Sequence, residues 1–173
     1  VQIAPHAYGA ENNTPALLRE QQQIVLAQVD NTAMINISDL VDDVNDIHPR
    51  NKRAIGERLA SLAMDRNYGH FTQAYESPVV SSVEYEKGKI VIHFQGNFSK
   101  LQWEDSVIEG LVVTDARGDS LNVSPKIRGK RLIIPVKDEV GPFRVSYCFD
   151  ESSIGTLRTE AGIPVFPFRV KVH

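Results

Sequence analysis

Residues 79–94 read VVSSVEYEKGKIVIHF. Two runs rich in valine and isoleucine flank Glu86-Lys87-Gly88, and β-branched runs on either side of a glycine-bearing turn predict an antiparallel hairpin. Further short apolar runs follow at 111–113, 121–123, 131–134 and 143–147. Arg117-Gly118-Asp119, Arg128-Gly129-Lys130 and Val140-Gly141-Pro142 separate them. Short strands punctuated at this spacing predict an antiparallel β-sandwich over residues 77–173.

Upstream the pattern changes. Val1-Gln2-Ile3-Ala4-Pro5 reads as a short buried strand. Thr14 caps a helix whose first residue is Pro15, with Leu17, Leu18, Ile24 and Val25 on its inner face and Gln21, Gln22 and Gln23 largely on its polar side. Ala33-Met34-Ile35-Asn36-Ile37 reads as a second buried strand, followed by an acidic loop at residues 39–46. A second helix opens after His48, with Pro49 near its first turn and Ile55, Leu59, Leu62 and Ala63 on its buried stripe. Strand, helix, strand, loop, helix is the order of an α/β unit with parallel strands, although two strands are fewer than a stable sheet usually needs. The change of character at Glu76-Ser77-Pro78 divides the chain into residues 1–76 and 77–173, α/β followed by all-β.

The 173 residues are 42% hydrophobic and 24% charged, an ordinary globular composition. Nineteen Lys and Arg against 22 Asp and Glu leave a net charge of −3, so there is no basic excess to neutralise a phosphate backbone, and nucleic acid is not an expected partner. No run of about 18 apolar residues exists, which excludes a helical membrane span. Cys148 is the single cysteine, so no intrachain disulfide forms, and a buried, inert thiol is expected. The five histidines lack the spacing of a metal site, and neither metal nor cofactor is expected. The first residue is Val1, and Val1–Pro5 has the pattern of a buried strand rather than that of a leader. The expectation is a chain that starts inside a fold, as a proteolytic product, a subunit of a cleaved precursor, or the ordered part of something longer.

The densest polar cluster is Asp42-Asp43-Val44-Asn45-Asp46-Ile47-His48-Pro49. It follows a buried strand and precedes a helix, the place where open α/β sheets gather ligands and catalytic groups. An aspartate two residues before a histidine can hold one ring nitrogen while the other takes a proton. The competing explanation is a solvated helix cap, with Asp46 interacting only with backbone amides.

Asn45-Asp46-Ile47-His48-Pro49-Arg50-Asn51-Lys52, continued by Ile55-Gly56-Glu57-Arg58-Leu59-Ala60, resembles the last catalytic block of the sialate O-acetylesterase and acetylxylan-esterase branch of the SGNH hydrolases. Gln2-Ile3-Ala4-Pro5 and Leu18-Arg19-Glu20-Gln21-Gln22 look like the strand and helix before that block. Glu160-Ala161-Gly162-Ile163-Pro164 and Phe166-Pro167-Phe168-Arg169 are similar to the closing segment of those enzymes' β-domain. The resemblance implies the C-terminal part of a flavodoxin-like parallel-sheet hydrolase domain followed by a β-sandwich. It also implies a carboxylic ester hydrolase that removes O-acetyl groups from a sugar, sialic acid or xylan, with His48 as general base. The broader superfamily pattern puts an aspartate three residues before the histidine, where this chain has Asn45. Asp46 is therefore the first choice as orienting acid and Asp43 the reserve. The serine nucleophile and oxyanion donors of such enzymes come from earlier blocks, so an N-terminal fragment or second chain is the expected partner, and a periplasmic or secreted location is expected. The rival expectation is a non-catalytic carbohydrate-binding or structural module.

Gly118-Asp119-Ser120 spells the superfamily's nucleophile motif, but it lies between strand patterns and Pro125 argues against a following helix, so a hairpin turn is expected. His6 and Tyr8 sit in the loop after the first strand, at an edge where a substrate could lie, with an ordinary surface loop as the alternative. Tyr68 and Trp103 could stack on sugar rings, and packing is preferred for Trp103. Arg53 and Arg58 are expected to be solvated or paired with Glu57 and Asp65.

Overall fold

Lys87 and Gly88 both take positive φ, 50° and 73°, and Glu86 pairs directly with Lys89. This two-residue turn matches the right-handed twist of its strands, and the glycine adopts the left-handed conformation without a Cβ clash. The computed structural model describes residues 1–9, 13–104, 107–136 and 141–173. The turn joins strand β1 (Val79–Glu86) to β2 (Lys89–Gln95). Next come β3 (Leu101–Gln102), β4 (Leu111–Thr114), β5 (Lys126–Arg128), β6 (Arg131–Pro135), β7 (Phe143–Tyr147), β8 (Arg158–Thr159) and β9 (Phe168–Val172).

These strands form a four-stranded sheet in the order β1-β2-β6-β5, a three-stranded sheet β4-β7-β9, and a short pair β3-β8. All their ladders are antiparallel. Alternation explains the core. On β2, Ile90, Ile92 and Phe94 point inward, and on β7 Phe143, Val145 and Tyr147 do the same. Both sets belong to one buried cluster with Leu132, Ile134 and Val172. Phe94 of the first sheet meets Phe168 of the second edge-on at 5.7 Å between ring centroids, so the two sheets share one core.

The β-rich reading of residues 77–173 agrees with this arrangement, with corrections. Residues 121–123 form no strand. Leu121 N–H donates to Val113 O at 2.8 Å, and only Ser120 makes a bridge, to Thr114. The strands β3, β5, β8 and β9 went unrecognised because each of the first three has only two or three residues, too few to show a period. Val140 of the expected 140–142 turn lies outside the described residues. Trp103 packs against the sandwich core, as preferred, whereas Tyr68 is exposed.

Helix α1 (Thr14–Gln28) and helix α2 (Lys52–Tyr68) precede the sheets, separated by a 3-10 turn at Ser38–Leu40. Residues 1–5 and 33–37 run side by side, with Gln2 N–H donating to Ile35 O at 3.0 Å. That single backbone bond makes no ladder, and among the described residues no parallel sheet forms. Two such short segments lack the neighbours a parallel sheet requires.

Both helices expose part of the stripe the sequence pattern turns inward. Leu18 is 46% and Val25 51% exposed, Ile24 and Leu59 are exposed too, and the buried positions are Pro15, Ala16 and Arg19 on α1 and Arg58 and Ser61 on α2. Polar side chains on the inner faces satisfy backbone groups of the sandwich and the extended segments. Gln22 Oε1 accepts from Ile3 N–H at 3.0 Å, and Gln23 Nε2 donates to Pro167 O at 2.9 Å. Arg58 forms a fork on Asp39, both contacts at 2.8 Å, and donates to Asn36 O at 2.6 Å. Of the pairings expected for Arg53 and Arg58, Arg53 meets Glu57 at 2.8 Å, whereas Asp65 accepts from the Tyr75 hydroxyl at 2.6 Å and not from Arg58.

The β3-β8 pair is tied by Glu160, whose carboxylate accepts from the Ser99 hydroxyl at 2.6 Å, Ser99 N–H at 2.8 Å and Lys100 N–H at 3.1 Å. These bonds, the hydroxyl's first, bring the Glu160 pKa down from 4.5 to about 2. A depressed carboxyl stabilises the fold fully above its unfolded value and loses that contribution as pH falls through the folded one. Acid unfolding followed by Trp103 fluorescence will therefore contain a component between pH 4.5 and about 2. Glu160→Gln removes that component and leaves a fold less stable than wild type at neutral pH.

Candidate active site

The loop before α2 is built from two nested aspartate turns. Asp43 Oδ1 accepts from the backbone N–H of Asn45 at 2.9 Å and from its side-chain amide at 3.1 Å. Asp46 Oδ1 accepts from His48 N–H at 3.0 Å, and Asp46 N–H itself donates to Asp43 O at 3.2 Å. A carboxylate that binds the amide two residues on holds a sharp turn without regular secondary structure. Pro49 is buried beneath the loop. The helix itself begins three residues later than Pro49 suggests, because Asn51 supplies the cap by accepting from Ala54 N–H at 3.2 Å.

His48 stands at the crest of this loop with its side chain 82% exposed. Its Nδ1 lies 3.8 Å from Asp46 Oδ1, beyond hydrogen-bond length but close enough for a small rotation to close the gap. With Nδ1 turned to the carboxylate, Nε2 is the nitrogen left to exchange a proton. Asp46 Oδ2 also meets Arg50 Nε and Nη2, each at 3.4 Å. The hydrogen bond from His48 N–H, then the Arg50 contacts, hold the Asp46 carboxyl below the usual carboxylate range. It is therefore ionised at neutral pH. The geometry brings Asp46 to His48, while Asp43 bonds to Asn45 and Asp46.

The loop is buttressed from far along the chain. Ala7 N–H donates to Val44 O at 2.8 Å, His6 N–H to Glu151 O at 3.0 Å, and Gly9 N–H to Glu151 Oε1 at 3.3 Å. Segment 6–9 thus bridges the sandwich loop at residues 148–153 and the histidine loop, and the His6 and Tyr8 rings meet edge-on at 4.5 Å. Arg19, 1% exposed, anchors the sandwich side by donating to the carbonyls of Cys148, Asp150 and Glu151. Sequence reasoning noticed His6 and Tyr8 but missed Glu151 and Arg19. Glu151 is 142 residues from Gly9, and no local pattern carries such a pairing.

Gly118-Asp119-Ser120 forms the expected turn. Asp115, itself buried, accepts from the N–H groups of Arg117 and Asp119, each at 2.9 Å, and Gly118 has φ 90°. Cys148 is buried against Tyr147, and burial pushes its thiol pKa up to about 12, so it is no nucleophile at neutral pH.

The fold described above is similar to that of a solved carbohydrate esterase. The solved structure in question is a carbohydrate acetylesterase from Xanthomonas citri, with a TM-score of 0.84 and 32% sequence identity over 98% of this chain. The chain spans 40% of the length of that protein. No protein-family model matches the chain, and neither does any curated protein.

Proposed function

We infer that residues 1–173 form part of a carbohydrate O-acetylesterase and carry its general base. The observation that supports this best is the exposed His48 imidazole, with an ionised Asp46 on one side and its other ring nitrogen facing solvent, in a chain similar throughout to a carbohydrate acetylesterase. His48 takes the proton of a serine hydroxyl as that oxygen attacks the acetyl carbonyl, then returns it to the departing sugar hydroxyl. Asp46 orients the ring and stabilises the imidazolium. The serine lies outside these residues, on an N-terminal segment or a second chain, within an SGNH-type hydrolase of the sialate O-acetylesterase or acetylxylan-esterase kind. Residues 1–76 belong to that catalytic domain, and residues 77–173 are its accessory sandwich. A periplasmic or secreted location goes with this reading.

The test is acetate release from O-acetylated sialic acid and from acetylated xylan by the complete polypeptide, with and without His48. Release that depends on His48 supports the reading. Equal release without it leaves a binding or structural module. In the same assay Asp46→Ala loses less activity than removal of His48, by a factor of about 10², and Asp43→Ala stays within about twofold of wild type because its bonds only shape the turn.

A further inference from the structure

The outer face of the β4-β7-β9 sheet holds two cations in an arrangement a sheet does not favour. Arg144 of β7 and Lys171 of β9 are direct cross-strand partners, and like charges directly opposite destabilise a strand pair. Neither makes an ion pair or hydrogen bond with its side chain among the described residues. The next cross-strand row on this face is Val112, Ser146 and Arg169. Arg169 is fixed from two sides, by a fork on Glu20 at 2.9 and 2.8 Å and by the Phe149 ring, 4.5 Å from its guanidinium carbon. Together these residues line a groove of about 550 Å³, large enough for a sugar unit or two.

We propose that this groove binds a carboxylate-bearing pyranose, a uronic or sialic acid residue of the glycan, through the juxtaposed Arg144 and Lys171 on the outer face of the sandwich. The carboxylate relieves the like-charge pairing, and Arg144 offers a planar fork that matches it. The Ser146 hydroxyl serves the ring hydroxyls, and exposed Val112 and half-buried Phe149 suit the apolar face of the ring. In a chain of net charge −3, a local cluster of unpaired cations also gives the groove a sign opposite to the whole. The proposal rests on the carbohydrate reading for the sugar part of the ligand, and its test does not use catalysis.

The experiment is calorimetric titration of residues 1–173 with trigalacturonate, neutral xylotriose and inorganic phosphate at low and high salt. Trigalacturonate is expected to bind at least tenfold more tightly than either control and to weaken as salt rises. Arg144→Ala combined with Lys171→Ala weakens it at least tenfold, Arg144→Lys weakens it less, and His48→Ala leaves it unchanged. The double variant melts no lower than wild type, since it removes a repulsion. Equal binding of xylotriose, equal binding of phosphate, undiminished binding by the double variant, or no binding of trigalacturonate overturns the proposal. Acetate release by the complete polypeptide, measured separately, stands or falls with His48, so failure of the groove is distinguishable from failure of the esterase reading.

Discussion

If the proposed deacetylation is carried by His48, His48→Ala lowers its kcat in the complete polypeptide by about 10⁴-fold while leaving KM and the melting temperature nearly unchanged. The direction follows from what the imidazole touches. A serine hydroxyl is a poor nucleophile until a base removes its proton, and the sugar alkoxide is a poor leaving group until its oxygen is protonated. Among the described residues of this loop, only His48 carries an imidazole, whose ring nitrogen can both accept and return a proton. Its side chain is 82% exposed, so truncation opens no cavity and strands no buried partner, and stability is spared. Steady-state deacetylation kinetics together with a thermal melt decide the matter. A variant within tenfold of wild type, or one that changes only KM, removes His48 from the chemistry.

The second large effect is on stability. Arg19→Met destabilises the fold by about 3–5 kcal/mol, which for a chain of this size is a fall in Tm of roughly 10 °C. The guanidinium is sealed between α1 and the loop at residues 148–151, where it satisfies three carbonyls. Desolvation pulls its pKa down, with the Asp150 charge opposing. Methionine fills much of the volume but removes the guanidinium donor from the carbonyls of Cys148 and Asp150, while Glu151 O keeps His6 N–H, and each unsatisfied buried acceptor costs about 1–3 kcal/mol before relaxation. Arg53→Ala is the control, because the Arg53–Glu57 pair is solvent-exposed and exposed pairs contribute little. Arg53→Ala should leave Tm unchanged within error. A fall in Tm of under 2 °C for Arg19→Met would mean that water replaces the guanidinium and that α1 is not pinned to the sandwich by this contact. A destabilised loop also disturbs segment 6–9, so under the proposed function Arg19→Met in the complete polypeptide lowers deacetylation alongside Tm.

The hairpin at residues 79–94 was legible from its residues alone because β-branched runs and a glycine in the turn act locally. So were the two helices, the Gly118 turn, and the block that puts Asp46 and His48 on one loop. Which helix faces are buried was not legible. Apolar periodicity puts Leu18, Val25 and Leu59 inside, yet Arg19, Gln22, Gln23 and Arg58 face inward, because the neighbouring extended segments and loops present carbonyls and an amide that need partners. The buttress of the histidine loop through Ala7, Glu151 and Arg19, and the pairing of Arg144 with Lys171, join residues far apart in the chain. Spacing along the sequence encodes contacts within a turn of helix or across a tight hairpin. Contacts closed by the packing of separate elements depend on the tertiary arrangement, which alone decides where a charged side chain finds its partner.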